Sequence, residues 1–233
     1  MTASTSHSSL SGADSVSTSL RRYTVHPGWP ARLGPLVVPA GRVTLRPIRL
    51  RDAATWSRLR IRDEDHLRPW EPTGEGPWDA RHHIGNWPGL CSSLRAEARR
   101  GRMLPMVIEL DGRFCGQLTI GNVVRGALRS AWIGYWVSQA DGGRGVATAA
   151  LALGLDHGFG PVGLHRIEAT VRPENLASRA VLQHVGFREE GLLERYLDVD
   201  GRFRDHLLVG LTAEELEATA ADRLVRAGRA AWG

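Results

Sequence analysis

Apolar side chains in the middle of the chain follow first a strand pattern and then a helix pattern. Residues 132–137 carry the aromatic and β-branched side chains that are typical of a buried strand. A glycine-rich turn follows at 142–145, and residues 146–155 are almost all Ala, Leu and Val, which predicts a largely buried helix. Residues 164–171 return to a strand pattern, which Pro173 ends because proline cannot donate to a neighbouring strand. We therefore expect the fold to be organised around a strand, a turn, a helix and a second strand.

Weaker patterns predict the elements that come before this stretch. A first strand at 43–47 should lead into a helix that is capped by Asp52. A long helix should begin at Asp79, as its cap, and reach about residue 100. Pro88 falls inside that helix and should kink it, because a helix interior needs the amide hydrogen that proline lacks.

Turn residues predict the connections between the remaining elements. Asp111-Gly112 and Asp200-Gly201 each separate two strand-like segments, and Asp-Gly favours the tight turns of β-hairpins. A helix that starts at Asn175 should end at Gly186, because glycine readily adopts the left-handed conformation of a helix C-terminus. The sequence of residues 212–215 is typical of a capping box, which predicts a last helix to about residue 227.

Length and composition indicate one globular domain with tails. The chain has 233 residues, of which 42% are hydrophobic and 24% charged, as in ordinary soluble proteins. Residues 1–22 are dominated by Ser and Thr and are predicted to form a disordered tail. Residues 23–41 should be an extended lead-in, residues 42–212 the folded domain, and residues 213–233 a C-terminal helix and tail. No apolar run reaches the roughly 18 residues of a membrane span, and we expect no secretory signal.

Charge and cysteine usage exclude several classes of function. The formal net charge is +5, and all 30 basic residues are arginine. Such a bias also follows from a GC-rich coding sequence, so we predict no direct binding of nucleic acid. Cys91 and Cys115 are too few for a disulfide framework or a metal site, so we expect no metal and a cytoplasmic location.

The glycine-rich turn is the main candidate for chemistry. The first amides of a helix have no partner within the helix and lie at the positive end of its dipole, where they can bind phosphate. Glycines allow a bulky diphosphate to approach the backbone. The chain has no Walker motif. The dinucleotide fingerprint fits poorly, because Thr148 takes its third small position and Glu168, its candidate ribose-binding acid, falls in mid-strand.

The motifs around this turn resemble those of the GNAT family of acetyl-CoA-dependent N-acetyltransferases. The phosphate motif of that family, Gln/Arg-x-x-Gly-x-Gly/Ala, corresponds here to Gly142-x-x-Gly145-x-Ala147, with glycine in the leading position. Across residues 42–212 the chain is also similar to the branch of ribosomal-protein-alanine N-acetyltransferases. The segments that carry the similarity are Val43-Thr-Leu-Arg46-Pro, Leu67-Arg-Pro-Trp70-Glu-Pro72, Arg166-Ile-Glu168-Ala, Asn175-x-x-Ser178, Gly186-Phe-Arg-Glu-Glu-Gly191 and Phe203-Arg-Asp205-His206.

The resemblance implies both a fold class and a cosubstrate. The fold is an α+β mixed sheet, mostly antiparallel, splayed at the cofactor site and flanked by helices. Acetyl-CoA is the implied cosubstrate. Its pantetheine and thioester would meet the amides of Trp136 and Val137 and the side chain of Asn175. Its diphosphate would meet the amides of Gly143, Arg144, Gly145, Val146, Ala147 and Thr148.

Two residues are candidates for proton transfer. The resemblance implies that Ser178 assists the departing thiolate, whereas the tyrosine that many family members place one helical turn later is Leu182 here. Glu168 is the first candidate base, acting through a water, with Glu71, Asp198 and Asp205 as alternatives. The competing interpretations are an Arg partner for Glu168, a local hydrogen bond for Ser178 and a simple helix cap for Asn175. An α-amine needs no base, because a pKa of about 7.7–8.0 leaves a neutral fraction at pH 7.

The acceptor is predicted to meet the aromatic and acidic loop of residues 67–78. Trp70 and Glu71 should line the acceptor site, although the tryptophans of this loop could instead fill the side of the core. The favoured function is transfer of an acetyl group to the N-terminal α-amine of a protein, with a ribosomal protein as a candidate partner. The alternatives are acetylation of a small amine, or a non-catalytic CoA-binding module, which Gly142 and Leu182 keep open. We expect a monomer or homodimer without membrane contact.

Overall fold

A single mixed sheet with helices on both faces forms the body of the computed structural model, which describes residues 28–233. The predicted tail, residues 1–22, and the start of the predicted lead-in lie outside these residues. The strands are β1 (Leu33–Val38), β2 (Gly41–Pro47), β3 (Leu104–Leu110), β4 (Arg113–Val124), β5 (Ser130–Val137), β6 (Arg166–Val171), β7 (Arg188–Val199), β8 (Arg202–Thr212) and β9 (Ala231–Trp232). The helices are α1 (Ala53–Arg62), α2 (Glu64–Leu67), α3 (Trp78–Arg81), α4 (Trp87–Arg99), α5 (Val146–Phe159), α6 (Leu176–His184) and α7 (Ala220–Arg226).

The sheet divides into two halves in its middle. Its order is β7-β8-β6-β5-β4-β3-β2-β1-β9, and every neighbouring pair is antiparallel except β5 and β6. These two parallel strands are joined through α5 and pair at only three positions, the last of which is Trp132 with Glu168. Beyond that point β5 stays paired with β4 as far as Val137, and β6 stays paired with β8 as far as Val171. The predicted fold class, a mostly antiparallel sheet that splays at one place, is confirmed.

Alternation along the strands builds a separate core on each face of the sheet. Met106 and Ile108 of β3 belong to the larger cluster, which also includes residues of α5, α6 and α7. Val107, between them, belongs to a second cluster with residues of α1 and α4. Because successive side chains of a strand point to opposite faces, α5, α6 and α7 cover one face and α1 and α4 cover the other. Within residues 28–233, no helix is both long and apolar enough to cross a membrane.

Local turn chemistry was predicted correctly. Asp111 and Gly112 have φ values of 50° and 79°, and Asp200 and Gly201 have 54° and 74°, as expected of two-residue hairpin turns. Gly186 follows α6 with a φ of 104°, which supports its predicted place at the helix end. The capping box is present at Thr212, but it caps only a short 3-10 turn.

Predictions that depended on longer segments were wrong in two places. The long helix from Asp79 is instead α3, a 3-10 turn and α4, and Pro88 stands in the first turn of α4, where its missing amide costs nothing. The last helix is only α7, whose first amides bind the carboxylate of Asp156 on α5. Asp52 stands at the N-cap position of α1 as predicted, but its carboxylate makes no cap bond and binds the buried guanidinium of Arg46 at 2.8 Å.

Two strands add to the sheet where none was predicted. β1 lies inside the segment predicted as an extended lead-in and pairs with β2. β9, at the end of the chain, pairs with β1 and forms one edge of the sheet. The pairing of β9 with β1 joins segments far apart in sequence, so no local pattern marks it, whereas β1 and β2 are neighbours joined by residues 39–40.

Candidate active site

A cavity of about 800 Å³ opens where β5 and β6 part. Leu182 of α6 lines it on one face of the sheet, and Leu94 of α4 lines it on the other. The side chains of Tyr135 and Trp136 follow the same division, since Tyr135 packs against the first core and Trp136 against the second. The cavity therefore passes through the sheet and connects its two faces.

The glycine-rich turn lies at one end of this cavity. Gly142, Gly143 and Ala147 belong to its lining. Gly143 and Gly145 have φ values of 68° and 85°, which non-glycine residues adopt only at a cost. A Cβ added to Gly143 would meet no protein atom within 4 Å, so its surroundings are open. Gly145 is the N-cap of α5 and provides no side-chain cap, which leaves the first amides of the helix for another partner.

Two ion pairs hold the start of this turn. The carboxylate of Asp63 accepts hydrogen bonds from the amide of Gln139 at 3.0 Å and from Nε of Arg62 at 2.7 Å. Asp141 accepts from the guanidinium of Arg113 at 2.8 Å. Burial would raise the pKa of Asp63, but the bonds from Arg62 and Gln139 outweigh it and hold the pKa below its usual value. The turn is therefore positioned by charge-assisted bonds from outside itself.

The parted strand β5 offers backbone groups to the cavity. The amide of Ser138 donates to Cys115 on the β4 side at 2.8 Å. Because amides alternate in direction along an antiparallel ladder, the amides of Tyr135 and Val137 face β6, where no strand pairs with them. The amide of Trp136 faces β4 by the same rule. The ladder therefore assigns the amide of Val137, but not that of Trp136, to the gap.

The predicted cofactor residues fall into two groups. Those that line the cavity are Trp136, Val137, Gly143, Ala147, Asn175 and Ser178. Arg144, Gly145, Val146 and Thr148 belong to the same turn and the start of α5 but are not part of that lining.

The start of α6 brings two polar side chains, those of Asn175 and Ser178, to the cavity, where Ser178 meets Tyr135 of β5. The side chain of Asn175 accepts from the amide of Ser178 at 3.0 Å, so Asn175 caps the helix and also lines the cavity. The Ser178 hydroxyl lies 2.9 Å from the hydroxyl of Tyr135. Burial raises the pKa of Tyr135 to about 12, and the hydrogen bond with Ser178 acts against this rise. Leu182 is fully buried. Sequence reasoning missed Tyr135, although the period of a strand places it on the same face as Val137.

Trp70 and Glu71, the residues predicted to line the acceptor site, both belong to the lining of the cavity. Glu71 forms an ion pair with Arg60, whose guanidinium carbon lies 4.9 Å from the ring centre of Trp78 and 5.1 Å from that of Trp136. Burial would raise the pKa of Glu71, but its contacts with His82 and Arg60 outweigh this and lower it. Glu71 is therefore an ionised carboxylate, and its counter-charge, Arg60, packs against the rings of Trp78 and Trp136. Arg60 was not foreseen, because nothing in the sequence shows that α1 packs under this loop.

A second arginine ties the acceptor loop to the other half of the sheet. Arg172, just beyond β6, lines the cavity and lies 5.3 Å from the ring centre of Trp70. Its Nη1 donates to the carbonyl of Pro69 at 2.9 Å. Arg172, which follows β6, therefore contacts the loop that carries Trp70, and both residues line the cavity.

The candidate bases lie in different surroundings. Glu168 is outside the cavity lining and pairs with Arg166 at 3.1 Å. Asp198 accepts from the hydroxyl of Thr73 at 2.8 Å and Asp205 from the amide of Arg195 at 2.7 Å, and neither lines the cavity.

Two acidic residues, Glu71 and Glu174, line the cavity, and so do the histidines His66 and His206. The Nδ1 of His206 lies 3.0 Å from the carbonyl of Arg204. His206 was not predicted to line the site, although it ends the segment Phe203-Arg-Asp205-His206. In residues 28–233, no group of three or more metal-ligating side chains is placed to hold an ion.

Comparison with known proteins connects this geometry to a family. Residues 42–188 match the model of the acetyltransferase (GNAT) domain. A solved structure of Mycobacterium smegmatis RimJ in complex with CoA-disulfide is similar to this chain with a TM-score of 0.89 and 70% sequence identity, covering 89% of this chain and 100% of that one.

Curated relatives agree with this match. The ribosomal protein uS5-alanine N-acetyltransferase of Escherichia coli (strain K12) is 27% identical over 176 residues, which are 75% of this chain and 89% of that protein. The probable N-acetyltransferase YjcK of Bacillus subtilis (strain 168) is 39% identical over 101 residues, 43% of this chain. This chain spans about half of YjcK, since the match covers 56% of it.

Proposed function

Because the chain belongs to the GNAT acetyltransferase family, we propose that it transfers the acetyl group of acetyl-CoA to the N-terminal α-amine of a protein, with a ribosomal protein that begins with alanine as the acceptor. The family match covers residues 42–188, and the Escherichia coli relative carries the name of a ribosomal-protein-alanine N-acetyltransferase. The proposal names the acceptor by its chemistry, a free α-amine on an extended chain.

One observation carries the proposal: the cavity passes through the sheet at the parted strands. The glycine-rich turn and α6 supply the part that suits a phosphorylated donor, and the loop with Trp70 and Glu71 supplies the part that suits a cationic acceptor. A donor and an acceptor that enter from opposite faces can meet within the gap without competing for one surface. Such an arrangement supports transfer between two bound substrates.

The donor half of the cavity can hold acetyl-CoA through backbone groups. The uncapped amides at the start of α5 suit the diphosphate, and with Gly142 at the leading position of the motif the backbone alone would hold it. The unpaired amides of Tyr135 and Val137 suit the pantetheine amide and the thioester oxygen. An amide aimed at that oxygen stabilises the negative charge that develops there when the amine attacks.

The acceptor half suits an amine. Glu71 remains ionised at neutral pH and attracts an ammonium group, while the face of Trp70 offers a cation–π contact. An α-amine with a pKa of about 7.7–8.0 releases its proton to solvent easily, and its neutral form then attacks the thioester carbon. Ser178, which lines the cavity, would donate to the departing sulfur.

Glu168 remains a hypothesis as the general base. Its ion pair with Arg166 and its position outside the cavity lining weaken the case, whereas Glu71 belongs to the lining. An α-amine acceptor removes the need for a strong base, which is a further reason to prefer it over the side chain of lysine.

Peptide acetylation tests the proposal directly. The purified protein is incubated with acetyl-CoA and peptides that begin with Ala or Ser, each with a free or a blocked N-terminus and each with an internal lysine, and a polyamine is included as a small amine. We expect mass spectrometry to find one acetyl group on the free α-amine only. Acetylation of lysine alone, or of the polyamine alone, would overturn the proposal.

A further inference from the structure

A phenol and a serine hydroxyl meet across the gap between the two halves of the sheet. The hydroxyl of Tyr135 lies 2.9 Å from Oγ of Ser178, and both residues line the cavity. Tyr135 stands on β5, whereas Ser178 stands in the first turn of α6, which follows β6. Leu182 on the same helix has no proton to donate, so a proton for a group bound at this point would come from one of these two hydroxyls.

The acidity of the two groups decides which one donates. Tyr135 stays protonated at neutral pH, because burial raises its pKa to about 12. A phenol is nevertheless a stronger acid than an aliphatic alcohol and is therefore the better donor of the pair. A serine hydroxyl has one hydrogen and two acceptor lone pairs. When Oγ of Ser178 accepts from Tyr135, its own hydrogen is directed away from the phenol and is available to a group bound in the cavity, which Ser178 lines.

We propose that Tyr135 is a positioning residue, whose hydroxyl donates to Ser178 and thereby directs the serine O–H toward the sulfur of the departing CoA. The inference rests on the proposed acetyl transfer. Accepting one hydrogen bond polarises the serine O–H and strengthens the bond that it donates. Tyr135 itself does not touch the reacting atoms in this role.

The proton balance of the step closes without any other reactant. The amine nitrogen forms a bond to the carbonyl carbon and releases a proton to solvent. When the C–S bond of the tetrahedral intermediate breaks, its electron pair stays on sulfur, which takes the proton of Ser178. Water then returns a proton to Ser178, so the serine ends as it began.

Steady-state kinetics of four variants test the inference. Tyr135→Phe keeps the ring and removes the hydroxyl, Ser178→Ala removes the partner, and the double variant removes both. Tyr196→Phe is the matched control, because it makes the same change on a half-exposed ring of β7. We expect Tyr135→Phe to lower kcat about tenfold with KM for acetyl-CoA nearly unchanged, and the double variant to be no slower than Ser178→Ala. An unchanged kcat, a rise in KM alone, or losses that multiply in the double variant would each overturn it.

Titration of bound CoA tests the same bond without an acceptor. A hydroxyl aimed at the sulfur stabilises the thiolate, so the CoA thiol bound to the wild-type protein should ionise about one pH unit lower than in Tyr135→Phe, which is the size of one charge-assisted hydrogen bond. The ultraviolet absorbance of the thiolate, measured against the same protein without CoA, reports this shift. The other ionisable groups that line the cavity are the same in both proteins: His66, Glu71, Arg172, Glu174 and His206.

The two measurements separate this inference from the proposed function. A wild-type protein that acetylates no amine would overturn the proposed function, while the thiol titration would still decide the role of Tyr135. Active enzyme with equal thiol titrations in the wild type and Tyr135→Phe would overturn only the inference. Circular dichroism and thermal unfolding of each variant establish that the fold is retained.

Discussion

Replacing Glu71 with glutamine separates the two roles that the structure gives to this carboxylate. Glu71 lines the cavity, and it is also the counter-charge of Arg60, whose side chain is only 5% exposed compared with 27% for Glu71. Breaking a buried pair by removing one partner costs about 3–5 kcal/mol. Glutamine keeps one acceptor oxygen, and Arg60 keeps His82 at 2.9 Å. We therefore expect a loss of about 2–3 kcal/mol in the free energy of unfolding.

Urea denaturation measures that loss, and thermal unfolding should show it as a fall of roughly 4–12 °C in Tm for a domain of this size. The peptide KM should rise at least about fivefold, because the ammonium group of the acceptor loses its counter-charge. The KM for acetyl-CoA should change little. Glu71→Gln with unaltered stability would refute the reasoning about the ion pair.

A double variant distinguishes the effect on binding from the effect on stability. Replacing both Arg60 and Glu71 with methionine removes the pair and leaves apolar side chains against Trp78 and Trp136, a change that is often neutral for stability. We expect most of the lost stability to return while the peptide KM stays high. Recovery of the peptide KM in the double variant would show that Glu71 contributes no contact to the acceptor.

The pH dependence has a definite sign. The pKa of Glu71 is lower in the folded protein than in the unfolded chain, so its contribution to stability is present above the unfolded pKa of about 4.3. That contribution is lost as the pH falls through the folded pKa. The difference in stability between the wild type and Glu71→Gln should therefore shrink below about pH 4.5, and a difference that grew in acid would contradict the assignment.

Three further changes test other parts of the site. Gly143→Ala should lower the free energy of unfolding by about 1–2 kcal/mol, because the φ of 68° at this position is left-handed. It should also weaken CoA binding at least about tenfold in calorimetry, because the new methyl group occupies the open side of the turn. Asp63→Asn should lower the free energy of unfolding by about 1.5–3 kcal/mol and raise the KM for acetyl-CoA, because it weakens the bond from the amide of Gln139 that holds the turn. An unchanged KM would show that the turn needs no such support. Trp70→Ala should raise the peptide KM severalfold without altering the KM for acetyl-CoA, and equal rises in both would place Trp70 outside the acceptor site.

Patterns of few residues predicted most of the elements around the site. The Asp-Gly turns, Gly186 and the glycine-rich turn depend on backbone preferences that a single residue type imposes, so the sequence marks them directly. Pro88 was assigned to a helix interior because apolar spacing continues across it. The structure places it in the first turn of α4 instead, where proline is favoured.

Residues that act through distant contacts were not predictable in this way. Arg60 on α1 meets Glu71 only because the chain folds back after α2, and Tyr135 meets Ser178 only because β5 and α6 lie on either side of the gap. Hydrophobic periodicity indicates which residues of one element share a face, but it does not indicate which residues of different elements meet. For Tyr135, the family motif places its tyrosine at the position of Leu182 and marks no hydroxyl on β5.

The parting of β5 and β6 follows from how each strand is held by its other neighbour. α5 connects the two strands, and their pairing ends at Trp132, whose ring takes the space that a side chain at Gly121 would need. Past this point β5 follows β4 to Val137, and β6 follows β8 to Val171, so neither is free to turn toward the other. The backbone groups that face the gap must then find partners elsewhere, because unpaired polar groups are costly to bury. An extended substrate with its own amides is such a partner, so the gap between the strands, rather than any single side chain, is the feature on which the proposed acetyl transfer depends.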